Sequence, residues 1–575
     1  MSLSALLASR VSNAIERALG ADYRGEDPVV RPSQYADVQV NAALALSKRV
    51  GVPPRDIAAK IVEELDLIDV CQTVEVSGPG FINLTLKDAR IAAEATAMAA
   101  DSRLGVPLQE PQRIPIDYSA PNVAKEMHVG HLRTTVVGDA LARTLEHLGH
   151  HVLRQNHIGD WGTPFGMLIE HLLDVGEGSE DAHLIETDPN SFYRAARTKF
   201  DADDRFASRA RARVVALQSG DGQTLRLWRE LVELSKHYFN RIYTRLGVTL
   251  TNDHLAGEST YNDQLAAICD ELEDAEIATM SDGALCVFLD GYLGREGKPV
   301  PLIIRKSDGG YGYATTDLAT LRDRVGKLHA DRILYVIGTP QALHLNMVWD
   351  TARKAGWLPD TVTPIHVQIG NVLGEDRKIL RTRSGAPPRL EALLDQAVAR
   401  ARGVIDQARP DLDEETRATI ALQVGVGAIK YADLSVAHES EYVFDLERMV
   451  SLTGNTGPYL QYAAARIKSI FRTAGTEPEQ ATSPINISAQ DERTLSLALI
   501  QFGDVVAQVG DNLEPHRLCG YLFQLAQAFS AFYENCPVLN TDQTTRESRL
   551  ALCSLTLRVL EMGLDLLGLE TPDRM

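Results

Sequence analysis

The stretch Asp117-Tyr118-Ser119-Ala120-Pro121-Asn122-Val123-Ala124-Lys125-Glu126-Met127-His128-Val129-Gly130-His131-Leu132-Arg133 decides the predicted fold. An apolar run just before it, with Ile114 and Ile116, predicts a strand, and Pro121 interrupts any regular pattern. Apolar residues between Leu132 and Leu148 then recur at helical spacing, and Gly149 stands where helices commonly end. The stretch therefore predicts a strand, a loop and a helix, one unit of an α/β sheet.

Two histidines lie at the predicted start of this helix, on one face of its first turn. Free backbone N–H groups and the positive end of the helix dipole meet there, so His128 and His131 suit an anion such as a phosphate. Gly130 between them has no side chain, which lets a flat ring approach the backbone. A surface turn with two histidines is the plain alternative. Zinc is disfavoured because the sequence contains no third ligand at ordinary spacing and no Cys-x-x-Cys pair.

The full run around these histidines resembles the signature of a known family. His-Val-Gly-His after Ser-Ala-Pro-Asn is similar to the HIGH-type motif of class I aminoacyl-tRNA synthetases, and Asn122 to Arg133 resembles the arginyl-tRNA synthetase version. Asp160-Trp161-Gly162 matches a further run of that family, although by itself it predicts only a capped turn. The resemblance implies a class I Rossmann-like catalytic domain.

Size and charge indicate a large enzyme of several domains. The chain has 575 residues and a formal net charge of -20, which argues against indiscriminate binding of nucleic acid but leaves room for local basic patches. Six scattered cysteines suggest buried thiols in a reducing compartment. The N-terminus lacks a signal-peptide core, and no apolar run is long enough to cross a bilayer. A cytoplasmic location with no membrane partner is therefore expected.

Three regions follow from the patterns along the chain. Residues 1–108 predict a small α+β domain, which in the resembled family contacts the tRNA elbow. Residues 109–388 predict the doubly wound parallel-sheet domain, with a helical insertion at about 175–260. Residues 389–575 predict an all-α bundle, which resembles an anticodon-binding domain. Strands of the central domain are expected at Ile114–Asp117, Val152–His157, Leu285–Phe288, Leu302–Ile304, Arg332–Ile337 and Ile365–Gln368.

A second site is predicted at Tyr313 and Asp317, which are four apart and share a helix face. A planar, permanently charged guanidinium suits a carboxylate and a flat ring. The same spacing is also common on helix surfaces. The resemblance implies that these two residues hold the arginine side chain, with Asp117, Asn122 and Gln341 completing the amino-acid site.

A basic loop follows the central domain and carries Lys378, Arg381 and Arg383. Such a loop can offset charge that develops on pyrophosphate, although an ordinary basic linker has the same composition. The resembled class usually has Lys-Met-Ser-Lys-Ser here, and this chain lacks the second lysine. In the resembled family a lysine before the histidine motif compensates, and Lys125 stands at that place.

Near the C-terminus, a predicted helix presents residues suited to RNA. Stacking and phosphate contacts are the expected roles of Tyr459, Gln461, Tyr462 and Arg466, with core packing as the alternative for each.

The resemblance implies ligation of L-arginine to tRNA(Arg) through an adenylate, with ATP and Mg²⁺, no structural metal and a monomeric enzyme. Activation that requires bound tRNA is a further implication. A small-molecule nucleotidylyltransferase and a non-catalytic RNA-binding paralogue are the alternatives.

Overall fold

The N-terminal part of the protein is a four-stranded antiparallel sheet covered by helices. The computed structural model describes residues 2–33, 35–123, 125–294, 297–382 and 387–575. The sheet has the order β1 (Val30–Pro32), β2 (Val38–Val40), β4 (Phe81–Leu86), β3 (Cys71–Ser77), and its apolar side chains share one core with all four helices of this part. The elements of this part are α1 (Leu3–Leu19), β1 (Val30–Pro32), β2 (Val38–Val40), α2 (Ala42–Val50), α3 (Pro54–Glu63), β3 (Cys71–Ser77), β4 (Phe81–Leu86) and α4 (Asp88–Ala100).

A parallel sheet with the order β11-β10-β5-β6 forms the centre of the molecule. The elements of the central part are β5 (Arg113–Asp117), α5 (Val129–His147), β6 (His151–Gln155), α6 (Thr163–Val175), α7 (Glu180–Thr187), α8 (Pro189–Ala202), α9 (Asp204–Gln218), α10 (Gly222–Leu246), α11 (Asn262–Asp274), β7 (Ala278–Ser281), β8 (Ala284–Leu293), β9 (Pro299–Arg305), α12 (Tyr313–Gly326), β10 (Arg332–Gly338), α13 (Ala342–Lys354), β11 (Thr363–Ile369) and β12 (Val372–Leu373).

Ligands of such sheets bind where neighbouring strands lead their chains to opposite sides. The chain leaves β5 toward β6 on one side, and it later enters β10 on the other side of β5. The carboxyl ends of β5 and β10 therefore define the expected ligand site. The histidine motif follows β5, and Gln341 follows β10.

Two of the six predicted strands do not join this sheet. Leu285–Phe288 and Leu302–Ile304 fall in β8 and β9, which pair with β7 in a separate antiparallel sheet. The prediction was wrong because the short connection between these strands permits a hairpin, whereas a parallel neighbour needs a crossover of roughly a dozen residues or more. The other four predicted strands are confirmed in the parallel sheet.

The rest of the described chain is largely helical. Its helices share one continuous apolar core with α5, which lies between the parallel sheet and this helical part. A short pair, β12 with β13, runs parallel and connects the two parts. The elements are α14 (Leu390–Ala408), α15 (Glu414–Leu434), β13 (Tyr442–Val443), α16 (Leu446–Met449), α17 (Gly457–Ala474), α18 (Gln490–Leu499), α19 (Phe502–Asn512), α20 (Pro515–Asn535) and α21 (Gln543–Leu566).

Buried charges also join the central and helical parts. The Nε of Arg133 on α5 lies 2.7 Å from the Asp433 Oδ1 on α15, and both side chains are almost wholly buried. Arg133 also donates from Nη1 to the Ser440 carbonyl at 2.7 Å. A buried pair of this kind fixes the relative position of two elements, because breaking it would strand a charge in the interior.

Other sequence expectations can be compared with the structure directly. The six cysteines are free and buried, as predicted. In the described ranges, no helix has the length and apolar character needed to cross a membrane. Arg209 and Arg213 on α9 pair with Glu170 on α6, so they join an insertion helix to the helix that precedes the insertion.

Candidate active site

The loop after β5 begins with a strained turn. Ser119 and Ala120 have φ angles of 72° and 45°, in the left-handed region that non-glycine residues seldom adopt. The Ala120 N–H donates to the Asn156 Oδ1 at 3.1 Å, and the Ser119 hydroxyl is hydrogen-bonded to Tyr243 at 2.8 Å and to Thr135 at 2.9 Å. These buried partners hold a conformation that costs about 1–3 kcal/mol per residue. The turn aims the following segment across the end of the sheet.

The histidine pair caps helix α5. The Gly130 N–H donates to the Nδ1 of His128 at 3.1 Å, and the His128 N–H donates to the Nδ1 of His131 at 3.1 Å. Because each Nδ1 accepts a hydrogen bond, the proton of each neutral ring must be on Nε2. Burial, helped by the charge of Lys125, lowers the pKa of His128. Burial and then the neighbouring His128 and Lys125 lower the pKa of His131 to about 3. Two neutral Nε2–H donors therefore stand at a helix N-terminus, which suits phosphate oxygens.

Gly130 lies against the ring of His128. A Cβ at this residue would lie 2.8 Å from the Cε1 of His128 and 2.9 Å from its Nδ1. The ring that approaches the backbone is thus the His128 imidazole. Any larger residue would push that imidazole out of its capping position.

The helical insertion holds the segment just before the histidines. The Nζ of Lys125 lies 4.2 Å from the centre of the Tyr193 ring on α8, a cation–π distance. Glu126 is hydrogen-bonded to Asn190 on the same helix and forms a 2.8 Å ion pair with Arg389. Tyr193 also lies near Tyr313: burial, then the charge of Glu258, then Tyr193 raise the pKa of the Tyr313 phenol. The insertion is therefore part of the site.

The predicted guanidinium pocket lies at the start of α12. Tyr313 is 73% exposed, so its ring is open to a ligand, and Asp317 follows one turn later. The Oδ2 of Asp317 lies 2.6 Å from the Nε2 of His344 in the first turn of α13. Neither the sequence spacing nor the local pattern of His344 predicted this contact.

The Glu258 carboxylate lies near those of both Asp160 and Asp317. Burial is the main cause that raises the pKa of Glu258 to about 8, and the negative charges of Asp160 and Asp317 add to it. Burial also raises the pKa of Asp160, although that carboxylate accepts hydrogen bonds from the Ser259 N–H at 2.8 Å and hydroxyl at 2.7 Å. The negative charges of Asp160 and Asp317 disfavour ionisation of Glu258, and a cation placed near them would offset this effect. Sequence reasoning missed Glu258 and treated Asp160 as architecture, because Glu258 meets Asp160 and Asp317 only through the tertiary fold.

The other residues predicted to bind arginine lie at or just after the carboxyl ends of β5 and β10. Asp117 is buried and pairs through Oδ2 with the Nη2 of Arg324 at 2.7 Å, so its charge is compensated inside the protein. Its Oδ1 has no hydrogen-bond partner in the described part of the chain. Asn122 and Gln341 are exposed. The Asn122 segment pairs with Gly159, where a Cβ would lie 2.6 Å from the Asn122 Oδ1, so it adjoins the loop that carries Asp160.

The basic loop forms a tight turn on the surface. The Gly374 N–H donates to the Lys378 carbonyl at 2.8 Å, and Lys378 and Arg381 are both exposed. A cavity of about 1040 Å³ is lined by this loop together with Glu441 and Phe444. Arg383, the other predicted loop residue, lies outside the described residues.

The residues predicted to contact tRNA divide into two groups. Gln461 is wholly buried, and its Nε2 donates to the carbonyls of Gln423 at 3.1 Å and Glu570 at 2.7 Å. It is a core residue, which corrects its predicted role as an RNA contact. Tyr459, Tyr462 and Arg466 are half-buried. The guanidinium of Arg466 stacks 5.1 Å from the ring centres of both Tyr462 and Tyr533.

Family models match almost the whole chain. A model described as "tRNA synthetases class I (R), catalytic domain" matches residues 94–446. Models described as "Arginyl tRNA synthetase N terminal domain" and "DALR anticodon binding domain" match residues 5–86 and 460–575.

Named relatives are similar over their full lengths. The arginine–tRNA ligase of Thermobifida fusca (strain YX) is 68% identical, and the match covers 99% of this chain and 99% of the relative. The arginine–tRNA ligase of Frankia casuarinae is 52% identical over 98% of this chain and 97% of its own. Among solved structures, the arginyl-tRNA synthetase of Plasmodium falciparum has a TM-score of 0.83 at 27% identity and covers 100% of this chain and 99% of its own. The chain therefore belongs to the class I arginyl-tRNA synthetase family.

Proposed function

We propose that the protein ligates L-arginine to tRNA(Arg) in two steps. First, the arginine carboxylate attacks the α-phosphate of ATP, which gives arginyl-adenylate and releases pyrophosphate. Second, the 3′-terminal ribose of the tRNA takes the arginyl group and AMP leaves. Neither step needs a covalent enzyme intermediate, so catalysis depends on positioning and on stabilising charge.

One observation on the residues of this chain supports arginine as the amino-acid substrate. An open aromatic ring, Tyr313, lies near the Glu258 carboxylate, which in turn lies near the carboxylates of Asp160 and Asp317. A buried excess of carboxylates is costly without a cation. A guanidinium supplies a permanent positive charge and a planar fork of donors, which matches both the ring and the carboxylates.

The other residues are assigned by what each can donate or accept. The Nε2–H groups of His128 and His131 would contact ATP phosphates, with Gly130 allowing the ring position and Lys125 adding charge. Acceptor and donor groups for the arginine backbone would be Asp117, Asn122 and Gln341. In the loop, Lys378, Arg381 and Arg383 would meet pyrophosphate.

Magnesium would enter as the ATP complex. Mg²⁺ prefers oxygen ligands, and the neutral imidazoles at the start of α5 offer N–H donors to phosphate oxygens. Among the described residues, no group of three or more His, Cys, Asp or Glu is arranged to hold a metal ion. The protein's own residues therefore address the phosphates, while bound Mg²⁺ would neutralise part of their charge.

For the tRNA, we propose contacts at Tyr459, Tyr462 and Arg466. The stack of Arg466 between Tyr462 and Tyr533 leaves aromatic and cationic surface that suits unpaired bases. The division at residues 108 and 388, the monomeric state, the cytoplasmic location and a requirement for tRNA in activation stay predictions.

The test is arginine charging of total tRNA, with lysine, glutamine and citrulline as control substrates. We expect charging with arginine alone. Asp317→Asn should weaken the use of arginine far more than the affinity for tRNA, because Asp317 lies in the amino-acid pocket. Intact tRNA binding without charging would indicate a non-catalytic RNA-binding protein. Exchange stimulated by another nucleotide acceptor, and not by arginine with tRNA, would indicate a nucleotidylyltransferase.

A further inference from the structure

A single helical turn delivers two side chains to the arginine pocket. Gln341 precedes α13 and His344 lies within its first turn. While Gln341 is exposed toward solvent, His344 reaches Asp317 on the neighbouring helix α12, with 2.6 Å between Nε2 and Oδ2. This distance is that of a strong hydrogen bond to a charged acceptor.

The contact restrains the carboxylate that faces the substrate. The Asp317 side chain is 26% exposed, and no other group in the described part of the chain donates a hydrogen bond to it. Two-pronged recognition of a guanidinium requires both carboxylate oxygens in a fixed plane. One hydrogen bond to Oδ2 sets that plane and leaves acceptor sites on both oxygens, since each oxygen has two lone pairs.

We propose that His344 is a positioning residue for arginine recognition, which holds the Asp317 carboxylate in the orientation that receives the guanidinium. The inference rests on the proposed function, because it specifies how the amino-acid pocket is pre-organised. It differs from a purely structural role, in which the same hydrogen bond would only tie α12 to α13. A positioning role affects arginine affinity, whereas a structural role affects stability and all substrates together.

Three variants separate these roles. His344→Leu removes the donor at similar volume, and His344→Gln restores an N–H donor at comparable reach. His366→Leu is the matched control, because His366 is also half-buried and its Nε2 forms a 3.0 Å hydrogen bond with the backbone carbonyl of Ile337 instead of a carboxylate that would bind arginine. Each full-length variant is assayed for arginine charging of tRNA, with KM for arginine and ATP and kcat measured separately.

We expect His344→Leu to raise the KM for arginine about 10- to 100-fold, the range for a lost hydrogen bond to a charged group. The KM for ATP and the kcat should stay within about twofold. His344→Gln should restore most of the arginine KM, and His366→Leu should resemble the wild type. In an Asp317→Asn background, His344→Leu should add little, because the residue acts through Asp317.

Several results would overturn the inference. An unchanged arginine KM in His344→Leu would leave His344 as a packing residue, and so would a loss that the glutamine does not restore. If His344→Leu raised the arginine KM by the same factor in the Asp317→Asn background, His344 would act independently of Asp317. If the wild-type protein fails to charge tRNA with arginine, the proposed function falls; if the wild type charges normally and His344→Leu does too, this inference falls alone.

Discussion

Arginine binding should release about one proton at neutral pH, and Glu258→Gln should remove most of that release. In the empty pocket, burial and then the charges of Asp160 and Asp317 raise the pKa of Glu258 from 4.5 to about 8. The carboxyl group is therefore mostly protonated at pH 7. A guanidinium placed among these carboxylates favours the ionised form and returns the pKa toward its ordinary range.

The expected size follows from the ionised fraction. With a pKa of about 8, roughly a tenth of the empty molecules carry an ionised Glu258 at pH 7, and the apparent dissociation constant rises by the inverse of that fraction. Arginine affinity should thus increase about tenfold from pH 6 to pH 7, or about 1.4 kcal/mol, and about fivefold more from pH 7 to pH 8, where half of Glu258 is already ionised. Because the folded pKa of this acid is raised, the empty protein loses stability as pH rises from 4.5 to 8. Bound arginine should reverse that loss.

Calorimetric titration counts the protons directly. Arginine is titrated into the protein at pH 7 in two buffers that differ in protonation enthalpy, and the difference in observed heat gives the number released. His344 contributes with the same sign, since its hydrogen bond to Asp317 raises its pKa, so His344→Gln is measured alongside. The reasoning would be refuted if the wild type released almost no protons on binding arginine and its arginine affinity did not change with pH. The reasoning would also be refuted if the arginine affinity of Glu258→Gln changed with pH as steeply as that of the wild type.

Three other substitutions test the histidine motif and the buried ion pair between α5 and α15. Gly130→Ala should slow ATP–pyrophosphate exchange about 10- to 100-fold, because its Cβ would displace the His128 imidazole; an unchanged rate would contradict the capping role. The pKa of His131 is lowered to about 3 in the folded protein, so the stability that the neutral His131 contributes is lost as pH falls from 6.5 toward 3. The melting temperature of His131→Gln should therefore decline less steeply than that of the wild type between pH 6.5 and 4. Parallel curves for the two proteins would contradict this prediction. Asp433→Ala should cost about 3–5 kcal/mol in denaturant unfolding by stranding Arg133, and a cost below about 1 kcal/mol would show that the pair is dispensable.

Sequence reasoning predicted the pairs of candidate site residues that lie close together along the chain. His128 with His131, and Tyr313 with Asp317, are each within one helical turn, so periodicity alone puts them on a common face. Four strands of the parallel sheet were found for the same reason, because buried strands are continuous apolar runs.

Contacts between segments that are distant along the chain leave no periodic pattern in the sequence, so they were not predicted. Glu258 reaches Asp317 from a short turn before α11, and Tyr193 reaches Lys125 from an insertion helix. Gln461 shows the converse: a polar residue between two tyrosines predicts a surface contact, but here backbone carbonyls satisfy it inside the core. Which face of a helix is covered depends on its neighbours, and Gln461 packs against Gly427 on α15.

The ends of the basic loop connect the chemistry to the helical part of the molecule. On its entry side, β12 pairs with β13, which follows α15, and the Phe444 N–H donates to the Leu373 carbonyl at 2.8 Å. On its exit side, the Leu390 N–H donates to the Met127 carbonyl at 2.9 Å, one residue before the histidine motif. A displacement of α15 relative to α5 must therefore move one end of the loop relative to the other. The buried pair of Arg133 and Asp433 joins those two helices, so it resists that displacement, and the loop geometry depends on this contact between helices.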